Sequence, residues 1–204
     1  EGKEGGPAGP LEEWETCDIQ EPWKTLESHR WYRTTVKIPQ EFDHCHVEFL
    51  ITTGREGQWD ATNPQMLFYL NGKIVQGVDV NHREICISRS AKAGEPYEIA
   101  FLAFSGSVPG DLIIRTDLVT VDERVEKGYY DLLVPVKTAR LLKKPDLENH
   151  RRILTKLAPA ADALDLRQPY SERFYDSLER MEAILEREFY TRVREEGPKV
   201  SGVG

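Results

Sequence analysis

The hydrophobic pattern of this chain changes period once, near residue 122, and that change governs what it can fold into. Ahead of it, short apolar runs alternate with polar residues, the two-residue period of strands. Beyond it, apolar residues recur every three or four positions, which lines one face of a helix.

The first part reads as seven or eight strands. Trp31-Tyr32-Arg33-Thr34-Thr35-Val36-Lys37-Ile38 is aromatic and β-branched and stops at Pro39. His46 to Thr53 follows and stops at Gly54. Met66 to Leu70 and Lys73 to Gln76 flank Asn71-Gly72, a pair that tolerates the positive φ of a type I′ hairpin turn. Glu84 to Ser88 alternates. Tyr97 to Phe104 is longer and more apolar, as a central strand would be, and Leu112 to Val121 closes the set. Short strands at this spacing, without intervening helices, predict an antiparallel sandwich over 12–122.

Over 123–193 the same reasoning predicts three helices. Val125, Tyr129, Leu132, Leu133, Val136 and Ala139 fall on one face of the first, with Pro135 expected to kink it. A second starts behind Pro145, carries Leu147, Ile153, Leu154 and Leu157, and is expected to end at Pro159. A third opens at Ser171-Glu172 with the stripe Phe174, Leu178, Met181, Leu185 and Phe189. The first two cover only part of that length, so an exposed apolar patch is expected near Leu185 to Phe189, met by a second copy of the chain. Residues 1–11 open with four glycines and two prolines in ten, the composition of a flexible leader, and 194–204 form a tail.

Charge and composition narrow the partners. The 204 residues carry 27 Lys+Arg against 35 Asp+Glu, a net charge of −8, without a basic block. That balance argues against nucleic acid and against an anionic membrane surface. No stretch approaches the about 18 apolar residues of a membrane-spanning helix. The three cysteines, Cys17, Cys45 and Cys86, show no paired spacing and read as thiols of a reducing, cytoplasmic compartment.

Residues that could carry chemistry are few. His44 and His46 lie two apart, which on a strand directs both to one face and could seat a metal, although no third ligand stands at fixed spacing. Asp43, Glu48, Asp60, Asp79 and Asp111 fall at strand ends or turns, where solvated acids are common. Trp59, between Gln58 and Asp60 in a long loop, could stack on a sugar ring or cover the sandwich edge. Trp14 and Trp23 fit the packing of an N-terminal segment onto the sandwich. No nucleophile elbow, P-loop or dinucleotide fingerprint is present.

Several segments, in order, look like the front end of a known family. Trp31-Tyr32-Arg33-Thr34-Thr35-Val36-Lys37-Ile38-Pro39 resembles the aromatic-Arg-x-x-Val-x-Ile-Pro strand in the N-terminal domain of family 38 glycoside hydrolases, the α-mannosidases. Leu70-Asn71-Gly72-Lys73-Ile74-Val75-Gln76-Gly77-Val78-Asp79 is similar to that domain's hairpin. Tyr129 to Pro135, Ala163 to Arg167 and Phe174 to Leu178 continue the likeness, which spans most of 14–192. The resemblance implies a jelly-roll, galactose-binding-like sandwich followed by a helical segment. It also implies that Val200 to Gly204 approach a His-x-His-x-Asp run that opens the catalytic domain and binds zinc. No residue of this chain matches the zinc ligands or the nucleophilic aspartate, so no catalytic, cofactor-binding or metal residue is assigned. The family cleaves α-mannosides with retention, through a glycosyl-enzyme intermediate.

Three readings follow from these observations. The first is the non-catalytic N-terminal segment of an α-mannosidase, inactive alone, with its own catalytic domain as partner and a homo-oligomer as a further assembly. The second is an autonomous carbohydrate-binding sandwich module. The third is a small enzyme using turn carboxylates or the His44/His46 pair.

Overall fold

A computed structural model of the chain describes residues 14–17, 22–53, 64–107 and 113–196. The leader at 1–11 and the tail beyond residue 196 lie outside them. The chain divides between Val121 and Asp122 into two compact units.

The first unit is built from seven strands: β1 His29–Lys37, β2 His46–Thr52, β3 Gln65–Leu70, β4 Lys73–Val78, β5 Glu84–Ser88, β6 Pro96–Phe104 and β7 Arg115–Val121. They form a four-stranded sheet in the order β1-β6-β3-β4 and a three-stranded sheet in the order β5-β2-β7. Every pairing is antiparallel. The last strand starts at Arg115, later than the period predicts, with Ile113 and Ile114 ahead of its ladder. The apolar Tyr97–Phe104 run is central, between β1 and β3.

One core joins the two sheets. Val47, Phe49 and Ile51 of β2, Phe68 of β3, Ile85 of β5 and Ile99 and Phe101 of β6 belong to a single buried cluster, with Trp23 beside them. Phe49 and Phe68, from different sheets, have ring centroids 5.7 Å apart. Each such side chain contributes about 1.5–3 kcal/mol on leaving water. The arrangement is sandwich-like. The β3–β4 hairpin turns at Asn71 (φ 49) and Gly72 (φ 77), the positive angles of a type I′ turn. Asn71 also ties the turn to β6: its amide donates to the Glu98 carbonyl at 2.8 Å, and its Oδ1 accepts from the Glu98 amide at 2.9 Å.

The second unit holds α1 Glu123–Leu142, α2 Leu147–Ala163, α3 Glu172–Leu185, a π turn over Glu186–Tyr190, and α4 Thr191–Glu196. Each long helix has its own N-cap. Asp122 accepts from the Arg124 and Val125 amides, Asp146 from that of Asn149, and Ser171 from that of Phe174.

Two expectations about these helices are corrected. Pro159 does not end α2, which continues to Ala163. The carbonyl that loses its helical partner there is that of Thr155, an exposed residue four positions back. Ala160, just past the proline, is fully buried and holds the last turn in place. Pro135, too, lies inside one continuous helical span, α1. It deprives the Asp131 carbonyl of a partner, and the Tyr190 hydroxyl donates to that carbonyl at 2.8 Å. Finally, no exposed patch exists at the end of the third stripe. Leu185 is 1% and Phe189 8% exposed, covered within this chain by a cluster that includes Leu157, Ala160, Ile153 and Val136. Gly128 explains part of that cover. A Cβ there would stand 2.9 Å from Leu178 Cδ1 and 3.1 Å from Met181 Cε, so its absence lets α3 approach α1 closely.

Candidate functional site

The residues singled out for chemistry are not brought together. His44 precedes β2 in a turn at φ 62, is exposed, and has its Nε2 3.4 Å from Asp43 Oδ2. His46 is the first residue of β2 and is buried, with Nε2 3.5 Å from Glu48 Oε1. The pair therefore does not share a strand face. Among the described residues no group of three or more His, Cys, Asp or Glu side chains converges as a metal site would. Asp43 Oδ1 accepts from the Ala93 amide at 2.9 Å and holds a turn. Cys17 and Cys86 are exposed, Cys45 is half-buried, and no disulfide joins them. Trp14 is half-buried, whereas Trp23 is in the core. Trp59, Asp60 and Asp111 lie outside the described residues.

Asp79 and His82 do form a local unit. Asp79 Oδ1 accepts from the Asn81 amide at 2.8 Å, the His82 amide at 2.8 Å and, when Nδ1 carries the proton, the His82 ring at 2.9 Å. Burial pushes the Asp79 carboxyl up, but the bonds from Asn81 and His82 outweigh it and hold the group below its ordinary value. It is a carboxylate at neutral pH.

The feature that period-reading missed is the outer face of the four-stranded sheet. Strand alternation sends Met66, Phe68, Ile99 and Phe101 inward, and their neighbours outward. The register places those neighbours in rows across the sheet. His29, Phe104 and Gln65 make one row. Trp31, Leu102, Leu67 and Gly77 make the next, and Arg33, Ala100, Tyr69 and Ile74 the third. An antiparallel sheet with one solvated face ordinarily shows polar residues there. This one shows an apolar band, with the Trp31 and Tyr69 rings 5.3 Å apart and those of His29 and Phe104 4.8 Å apart. A cleft of about 590 Å³ opens on it at the end where β1 and β3 begin. Leu67, Leu102, Phe104 and Gly77 line it, with His29, Gln65 and Asp79 as its polar groups. The signal in the sequence was consecutive large apolar residues, Leu67-Phe68-Tyr69 and Phe101-Leu102 with Phe104, which occupy both faces at once.

The helical unit has its own apolar groove, of about 390 Å³, lined by Val125, Tyr129, Leu132, Leu133, Leu166 and Phe174 among others. Tyr129 is 58% and Leu166 65% exposed. Beside it, Asp165 accepts ion-paired hydrogen bonds from Arg167 and stands 2.6 Å from Arg173 Nε. The Arg167 bonds, then the charges of both arginines, hold the Asp165 carboxyl far below the carboxylate range. Among the described residues no helix is long and apolar enough to cross a membrane. No protein-family model matches the chain, and no characterised protein matches it.

Proposed function

We propose that this chain is the non-catalytic N-terminal segment of an α-mannosidase, a scaffold that docks the catalytic domain of the same polypeptide. On this reading the sheets are the jelly-roll, galactose-binding-like sandwich of that family, zinc belongs to the catalytic domain, and the protein works in the cytoplasm. The observation that carries the reading is the composition of the helical groove. Three of the segments that resemble the family supply most of its lining: Tyr129, Leu132 and Leu133 from the first, Leu164 and Leu166 from the second, Phe174 and Leu178 from the third. An exposed apolar groove of this kind is what a docking element needs. Three cysteines without paired spacing support the reducing compartment.

The test is the coding sequence beyond Gly204, expressed with this chain as one protein. A His-x-His-x-Asp run there, with zinc-dependent hydrolysis of aryl α-mannosides that falls when Leu166→Asp is introduced, is the expected result. A continuation without that run overturns the reading.

A second reading, a carbohydrate-binding module, is favoured by a separate observation. The outer face of the β1-β6-β3-β4 sheet presents aromatic rings to solvent where polar residues are the rule.

A further inference from the structure

We infer that the cleft on the outer face of the four-stranded sheet is a saccharide site that takes a neutral pyranose unit of an oligosaccharide. The inference rests on the second reading above and locates it on named residues.

The lining sets the chemistry of the ligand. Phe104, Leu102 and Leu67 offer an apolar floor, contributed by neighbouring strands in register. His29, Gln65 and Asp79 offer an imidazole, an amide and a carboxylate around the same space. A ligand that matches both must carry an apolar face and hydroxyl groups at its edge. A pyranose does, since its axial C–H bonds can lie on an aromatic ring while its hydroxyls donate to a carboxylate and exchange hydrogen bonds with an amide. Of the three polar groups, Asp79 brings a full negative charge at neutral pH, on a chain of net charge −8. It repels phosphate, sulfate and carboxylate ligands, which removes nucleotides and acidic glycans. A shallow cleft with three polar groups also suits a hydroxylated ring better than a wholly apolar molecule, which gains most from enclosure.

Gly77 gives this site a clean test. It stands in the row of Trp31, Leu102 and Leu67, and a Cβ added to it would meet only the Met66 carbonyl oxygen, at 4.0 Å. A side chain there fills the cleft without disturbing the core, and leaves the strand a residue better suited to a pleated surface than glycine.

The experiment uses the whole chain on an array of neutral glycans ending in mannose, galactose, glucose or N-acetylglucosamine, with sialylated glycans alongside. Affinities for the glycans retained are then measured by titration. The expected result is retention of a neutral class, at least tenfold weaker binding in Gly77→Leu and in Phe104→Ala, unchanged binding in Tyr129→Ala, and an unchanged thermal midpoint in Gly77→Leu. Retention of neutral glycans that both cleft variants leave intact overturns the site while the carbohydrate reading stands. Retention of no neutral glycan overturns both. Self-association of the wild-type chain, abolished by Gly77→Leu and without glycan binding, would assign the face to a second copy and overturn the inference.

Discussion

At the scale of single residues, Asp122 does the most with the fewest atoms. Its Oδ1 accepts from the Arg124 and Val125 amides at 3.0 Å each, and its Oδ2 from the Tyr175 hydroxyl at 2.6 Å, which ties the start of α1 to α3. Burial pushes this carboxyl up, and the Tyr175 bond together with the two amides more than offsets it, so it lies below its ordinary value. The same contact raises the Tyr175 hydroxyl. Because the folded carboxyl is the stronger acid, its contribution is fully present above the unfolded value of about 3.9 and is lost as pH falls through the folded one. Asp122→Ala is expected to destabilise the helical unit by about 1–2 kcal/mol at pH 7. The gap to wild type should shrink at pH 2. Asp146 and Asp165 also lie below their ordinary values, but they titrate in both proteins, so denaturant titrations at the two pH values isolate Asp122. A gap that does not change with pH would show that the neutral acid caps the helix equally well.

At the scale of elements, the two interior prolines show how differently the same break is accommodated. The carbonyl freed by Pro159 belongs to Thr155, an exposed residue, whereas the one freed by Pro135 is supplied with a donor from another element, the π turn. Tyr190→Phe removes that donor and is expected to cost about 1 kcal/mol. In a Pro135→Ala background the backbone amide restored at that position supplies the bond instead, so the same change should cost much less, and a double-mutant cycle by denaturant unfolding measures the difference. Additive effects would mean the hydroxyl bond does not stand in for the one that Pro135 removes. Gly128→Val is expected to be worse than either, by more than about 2 kcal/mol, since a branched side chain must displace Leu178 and Met181 inside a packed cluster. Element positions were well signalled in the sequence, because period, Asn71-Gly72 and the cap residues act locally. Pro159 misled because the helix beyond it is held by the burial of Leu157 and Ala160, a property of the packed helix. Gly128 gave no signal at all, since a glycine marks a close approach only once the approaching helix is known.

At the scale of the whole molecule, two cores with no residue in common, one between sheets and one among helices, underlie the two units. The chain should not hydrolyse aryl α-mannosides, with or without added zinc, and turnover that follows the protein through purification would refute this. The candidate saccharide face was the least legible part of the sequence. Its residues come from β1, β3, β4 and β6, whose order in the sheet is not their order in the chain, so only the register assembles Trp31, Leu102, Leu67 and Gly77 into one row. The His44/His46 pair is the opposite case: two residues close in sequence are set apart by the turn at His44. The bond from Tyr190 to the Asp131 carbonyl sets a limit on trimming. A shortened protein that stops before residue 190 would keep all of α3 yet leave a carbonyl in the middle of α1 unpaired, 59 positions upstream of the missing hydroxyl. The smallest helical fragment worth producing on its own therefore begins with the Asp122 cap and runs past Tyr190, however dispensable its last turns look in the sequence.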